Sequence, residues 1–277
     1  MSKYLSPKND LTFKAVFAEH KHLCISLINS ILPLENPVVS IEYLSGELLP
    51  MLPGVLKNSI VDVRCTDSAG RNFIVEMQLY WSNVFQYRVL FNASKTLVMQ
   101  VEKGAKYNLI QPVYVISFIN DVFDNSEEYY HYYKIVNIKD TQKQIKGLEF
   151  LFIELPKFKP ENRAQKKLFE LWLSFLTEIN ENTSEVPEEL LANELTREAI
   201  GYMERSAFSK EELDVYLENK MNCITERGVL EESEKKGKIE GEKETNVKNA
   251  KGMKQIGISV SQISQITGLT PTEIEAL

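Results

Sequence analysis

Two acids and an amide at hairpin spacing, Asp62, Glu76 and Gln78, are the residues of this 277-residue chain best placed for chemistry. Asn58 to Leu79 reads as two alternating runs joined by Asp67 to Arg71, with Gly70 free to take the positive φ that a short hairpin loop requires. A three-residue loop of Ser68, Ala69 and Gly70 pairs Asp67 with Arg71 and sets Asp62 opposite Glu76. Alternation then puts Val61, Val63, Cys65, Phe73, Val75, Met77 and Leu79 on one apolar face, the core side. The other face carries Ile60, Asp62, Arg64, Ile74, Glu76 and Gln78. Two carboxylates directly across a ladder sit about 5 Å apart and repel. A hard divalent cation removes the repulsion, because Mg²⁺ is commonly held by one or two carboxylates with waters and phosphate oxygens. The competing reading is a solvated outer face on which a one-residue slip of register separates the two acids.

Further pieces occur in order along the chain. They are Asp10-Leu-Thr-Phe13-Lys14-Ala-Val-Phe17, Lys57 with Val61-Asp62-Val63, Gly70, Ile74-Val-Glu76-Met77-Gln78, Phe85-Gln-Tyr87-Arg88, Gly104-Ala-Lys-Tyr107, Pro112-Val-Tyr-Val-Ile116 and Ile153-Glu-Leu-Pro-Lys157-Phe158. Together they resemble the PD-(D/E)XK nuclease superfamily in its Glu-x-Gln variant, and within it the Rpn family of recombination-promoting nucleases and transposases. The resemblance spans roughly the first 160 residues. It implies an α/β, restriction-endonuclease-like core of order αβββαβ, a mixed central sheet flanked by helices, followed by a C-terminal helical extension. It also implies a metal-dependent DNA endonuclease associated with DNA recombination or mobile elements. Asp62, Glu76 and the Met77 carbonyl would hold Mg²⁺ or another divalent cation such as Mn²⁺ or Ca²⁺, with Asp10 as a further contact. Gln78 stands where the motif usually has lysine; it would orient a water, and Lys57, Arg88 or Lys95 would supply the missing positive charge. That substitution also motivates a second reading, a catalytically weak member that binds DNA or a protein partner. A purely structural assembly module is a third.

Composition sets bounds. Hydrophobic content of 43% and charged content of 26% are those of an ordinary globular chain long enough to bury a core. The N-terminus lacks a secretory apolar run, and no stretch approaches the ~20 apolar residues of a membrane span. Cys24, Cys65 and Cys223 are scattered without paired spacing, which predicts a reducing cytoplasm and no disulfide framework. Three histidines make a histidine-built zinc site a poor expectation, so a metal must rest on carboxylates. The net charge of −7 is uneven: residues 1–110 hold 11 Lys/Arg against 9 Asp/Glu, and the remainder 21 against 30. Phosphate binding depends on local potential, so the acidic second half does not exclude DNA as partner, but it argues against tight non-specific binding.

The elements that must position the acids follow from periodicity. Asp10 is predicted as the N-cap of a helix running to Pro33, and Val38 to Leu44 as the first strand. Lys57 lies in the irregular segment before the hairpin. Ser82 to Lys103 is predicted helical, with Leu90, Ala93, Leu97 and Val101 as its packing stripe and Arg88, Asn92 and Lys95 as a separate polar stripe. Tyr87 is read as a buried aromatic anchor in preference to a hydrogen-bonding group at the site. Pro112 to Ile119 is a near-continuous apolar run, a central strand covered on both faces. Glu128 to Val136 and Leu148 to Glu154 are two more strands, whose tyrosines fill a strand face rather than stack bases. The domains expected are 1–160 for the core, 161–229 for a helical extension, 230–255 for a charged helix or linker, and 256–277 for a helix-turn-helix-like unit. In that last unit Ser259 with Gln262 and Thr270 with Glu273 have capping-box spacing, and Pro271 suits the first helical position. Its second helix carries Glu273 and Glu275, which favours packing or homo-oligomer assembly over base reading.

Overall fold

The computed structural model describes residues 2–48, 59–101, 106–160 and 167–277. The chain opens with α1 (Asp10–Phe17) and α2 (Lys21–Ile31), two helices where one is predicted. The break falls at Ala18 to His20, and His20 has extended φ and ψ of −117° and 93°. Asn9, not Asp10, caps α1: its Oδ1 accepts from the Leu11 N–H at 3.0 Å, and its Nδ2 donates to the Tyr216 carbonyl at 3.2 Å. Asp10 is already helical, an acid in the first turn where the helix dipole favours it, and its carboxylate is left for other work. Replacing Asn9 by Ala should cost about 1–2 kcal/mol in a denaturant melt, the cap plus a buried hydrogen bond. Asn9→Asp, which keeps the cap but loses the amide donor, should fall between.

The strands are β1 (Ile41–Tyr43), β2 (Glu47–Leu48), β3 (Ser59–Ile60), β4 (Val63–Asp67), β5 (Asn72–Gln78), β6 (Val113–Ile119), β7 (Tyr130–Asn137) and β8 (Asp140–Glu154). Six of them form one mixed sheet in the order β1-β4-β5-β6-β8-β7, and β2 pairs with β3. The β5–β6 and β6–β8 pairs are parallel and the others antiparallel. Helix α3 (Asn83–Val98), capped by Ser82, makes the crossover from β5 to β6, since parallel neighbours need one. Both faces are covered, as the mixed α/β core requires. Val63, Cys65, Phe73, Val75, Ile116 and Phe118 pack with α1, α2 and α4 (Leu168–Glu178), where Trp172 meets Phe17 edge to face at 5.5 Å. Ile74, Val113, Val115 and Ile119 pack under Phe85, Val89 and Ala93 of α3.

Helix α3 is turned by about one residue from the predicted stripe. Leu90 is 47% exposed, whereas Phe85, Val89, Asn92, Ala93, Lys95 and Thr96 are buried. The buried stripe is partly polar, so hydropathy favours its neighbour. Tyr87, read as a buried anchor, is 72% exposed. The tyrosines of β7 behave as expected of core-lining side chains: Tyr130 and Tyr132 pack on the core, and Tyr130 donates to the Ile31 carbonyl at 3.0 Å. Strand β8 begins well before the predicted Leu148, forming a long hairpin with β7 whose register shifts beyond Lys134.

After α4 come α5 (Glu188–Ala192) and α6 (Glu194–Gly201), whose Leu190, Ala199 and Ile200 share the core of the sheet, so the 160/161 boundary expected from sequence is spanned by one apolar cluster. The charged stretch 230–255 lies inside α7 (Lys210–Gln255). Contacts divide the chain into two compact units, residues 1–220 and 221–277. Within the second, α8 (Val260–Thr267) and α9 (Pro271–Glu275) bury Ile263, Leu269 and Ile274 with Ala250. Both predicted capping boxes are formed, and Gly268 closes α8 with a φ of 70° that only glycine adopts easily. Among the described residues no helix is long and apolar enough to cross a membrane.

Candidate active site

The hairpin register is the one the loop chemistry demands. Val63 pairs with Val75, Cys65 with Phe73 and Thr66 with Asn72; the Asp67 N–H reaches the Arg71 carbonyl at 3.0 Å, and Gly70 has a φ of 80°. Continued by one step, this register puts Asp62 opposite Glu76. The ladder itself stops at Val63, because the chain bulges at Asp62. Tyr43 pairs with Cys65 and Glu47 with Ile60, so the three residues 44–46 oppose the four residues 61–64. Gly46 allows the close approach: its carbonyl accepts from the Val61 N–H at 3.0 Å, and a Cβ there would lie 2.6 Å from the Val61 oxygen. The extra residue reverses the alternation, and Val61 packs with Ile74 and Val89 under α3 instead of joining Val63 on the other face.

The bulge has a chemical consequence. Alternate pairs would make the Val61 carbonyl the next acceptor for Met77. Instead the Asp62 Oδ2 accepts the Met77 N–H at 2.7 Å. The N–H and C=O of one strand residue point to the same side, so the Met77 carbonyl is directed toward the gap where Asp62 stands. Across the other edge, the Asn120 N–H donates to the Gln78 carbonyl at 2.8 Å.

Glu76 is 5% exposed, and its Oε2 has no hydrogen-bond partner among the described residues. It pairs in register with Ser117 and lies beside Asn92 of α3, and neither the Ser117 hydroxyl nor the Asn92 amide makes a full hydrogen bond among the described residues. Burial pushes the Glu76 carboxyl up to about 7, reinforced by the charge of Asp62 and opposed by Arg88 and Asn92. Burial likewise raises Asp62 to about 7; the Met77 N–H and Lys14 oppose the shift, and Asp10 adds to it. Lys14, one turn beyond Asp10, holds Asp10 at 2.7 Å and stands 4.0 Å from Asp62. Helix α1 therefore delivers an acid and a base to the edge of the acid pair. The Gln78 amide is engaged at both ends, accepting from Arg88 Nη2 at 2.7 Å and donating to the Tyr80 carbonyl at 2.8 Å.

A family model described as PD-(D/E)XK nuclease family transposase matches residues 7–232. The chain belongs to that family. Comparison with curated proteins and with solved structures returned no match. Membership assigns a nuclease- or transposase-associated function with DNA as the class of substrate, and PD-(D/E)XK nucleases typically use divalent metals.

Of the residues singled out from sequence, the fold gathers Asp10, Asp62, Glu76, Met77, Gln78 and Arg88 at one end of the sheet. Lys95 is buried on α3 with its ammonium 5.7 Å from the Phe91 ring. It lies about 10 Å along the helix from Arg88, and it is Arg88 that reaches Gln78. Lys57 lies outside the described residues. Lys14 was legible only as part of the family pattern, although its i, i+4 spacing from Asp10 predicts the ion pair.

Proposed function

We propose that this chain is a divalent-metal-dependent DNA endonuclease that hydrolyses phosphodiester bonds in recombination or mobile-element processing. The observation that carries the reading is the buried Oε2 of Glu76, without a hydrogen-bond partner among the described residues, beside Asp62, two acids that burial and neighbouring acids hold near neutrality. A stable fold avoids an orphaned buried carboxylate unless something pairs with it. Two acids with a backbone carbonyl suit an ion such as Mg²⁺, which is commonly held by one or two carboxylates and keeps water and phosphate oxygens in its shell. Asp62, Glu76 and the Met77 carbonyl would hold Mg²⁺, Mn²⁺ or Ca²⁺, and Asp10 would add a contact from α1. A bound divalent cation supplies Lewis acidity toward the phosphate and toward water.

The chain's own residues do the rest. Gln78 cannot serve as a useful base; held by Arg88 and Tyr80, it presents a fixed amide dipole that orients a water. Arg88 sets a guanidinium against Gln78 in the field of Glu76 and stabilises charge growing on the phosphate. Lys14 adds a second cation on the Asp62 side. Nicking of supercoiled plasmid by the full chain with each of Mg²⁺, Mn²⁺ and Ca²⁺ tests the proposal. Activity that persists in chelator sinks it.

Arg88→Ala should reduce the rate about 100-fold, with Arg88→Lys recovering part of it. Without the guanidinium the Glu76 carboxyl rises further, so the pH–rate profile of Arg88→Ala should also move to higher pH.

The second reading, DNA or partner binding with little catalysis, draws on the absent motif lysine and on a Gln78 whose amide is already committed. DNA affinity unaffected by divalent ions, with no cleavage in either state, would favour it.

A further inference from the structure

We propose that Lys8 binds a DNA phosphate next to the Asp62–Glu76 site, fixing the path of the strand being cut; this rests on the reading of the chain as acting on DNA. Lys8 is half-buried, and its ammonium donates to the Asn120 Oδ1 at 2.9 Å. Asn120 directly follows β6, and its N–H holds the Gln78 carbonyl, so the Lys8 charge stands one strand away from the Glu-x-Gln segment. The mount is rigid. Buried Glu154 accepts from the N–H groups of Phe123 and Asp124 at 2.5 and 2.9 Å and pins the loop that Asn120 begins.

The neighbouring acids are already taken. Asp10 is paired with Lys14, and Glu181 accepts from both Lys220 and Tyr216 at 2.7 Å. Among the described residues Lys8 makes no ion pair; its ammonium has a neutral amide as hydrogen-bond partner, and the charge of Glu181 attracts it through space. It also immediately precedes Asn9, the cap of α1, where the positive end of the helix dipole disfavours a cation. A half-buried ammonium whose hydrogen-bond partner is a neutral amide costs stability unless an anion is supplied. A phosphodiester oxygen arriving beside Gln78 would meet the Lys8 ammonium across Asn120.

The test is the salt dependence of duplex binding by the full chain in chelator, where no cutting occurs. Lys8→Met should weaken binding about 3- to 10-fold, and the slope of log affinity against log salt should become shallower by about 0.9, the release of one phosphate contact. Lys8→Arg should restore both, and Lys236→Gln, on the second unit, should leave both unchanged. Under cleavage conditions Lys8→Met should raise KM with kcat nearly intact. A slope unchanged in Lys8→Met, with the unaltered chain binding DNA, overturns this assignment alone. No DNA binding by the unaltered chain overturns it together with the proposed function.

Discussion

Glu76→Gln and Asp62→Asn are each expected to lower divalent-dependent nicking by at least about 100-fold while leaving the fold intact. The amide variants are chosen for what they preserve. Asp62→Asn keeps a side-chain oxygen to accept the Met77 N–H, which holds the end of β5 against the bulge. Glu76→Gln keeps the volume of a side chain packed under α3 beside Asn92 and Ser117, and the new amide can donate to those groups, where the carboxylate leaves an oxygen unpaired among the described residues. Both variants should therefore melt no earlier than the unaltered chain at pH 7. Duplex binding in chelator should be unchanged or slightly tighter, because a negative charge near the phosphates has gone. The measurement is plasmid nicking over a series of divalent ions, with thermal melts of the same preparations. Nicking retained within about threefold in both variants would remove these acids from the chemistry.

The second large effect is a loss of stability as pH rises through neutrality. Asp62 and Glu76 titrate near 4 in an unfolded chain and at about 7 in the fold. A carboxyl raised by folding favours the folded state most below its unfolded value, and that contribution disappears as pH climbs through the folded value. For one acid the three-unit shift corresponds to about 4 kcal/mol. The two acids repel, so protonating one relieves the other, and the pair contributes less than twice that amount. Unfolding free energy should thus fall between about pH 4 and pH 7 and level off above that. A divalent cation bound by the ionised acids should reverse the loss, by about 2.7 kcal/mol at a hundredfold excess over its Kd, and more strongly at pH 8 than at pH 6. The Asp62→Asn, Glu76→Gln double variant should lose both the slope and the cation response. Denaturant melts of both proteins at three pH values, with and without Mg²⁺, isolate the pair from every other titrating group. Identical pH slopes would show that burial of these acids has no energetic weight.

Much of the fold was legible because it depends on short-range rules. Gly70 after Asp67-Ser-Ala commits the loop, and the loop commits the register of β4 on β5. Ser259 with Gln262 and Thr270 with Glu273 close their capping boxes within four residues, so nothing distant can alter them. The apolar run after Pro112 has one comfortable home, the sheet centre, where β6 is buried throughout. The errors share a cause. Alternation assigns Val61 to the Val63 face only if no residue is inserted, and the insertion at Asp62 is dictated by pairing with β1 and β2, which lie elsewhere in the chain. Hydropathy turns α3 toward Leu90 because the buried stripe contains the polar Asn92 and Thr96, of which Asn92 lies beside Glu76. Asp10 is as good a cap as Asn9 by type; the carbonyl of Tyr216, more than 200 residues away, accepts the Asn9 amide.

By itself the sequence determined the identity of the acids, the strands that carry them and the family to which the chain belongs, since these follow from residue type and local spacing. Tertiary structure alone decided that the bulge would aim Asp62 at the Met77 N–H, that Arg88 rather than Lys95 would reach Gln78, and that α1 and the residues before it would bring Lys14 and Lys8 to the same end of the sheet. Burial and the meeting of charges from distant segments are properties of the packed chain, and they are what hold the two carboxyls near neutrality.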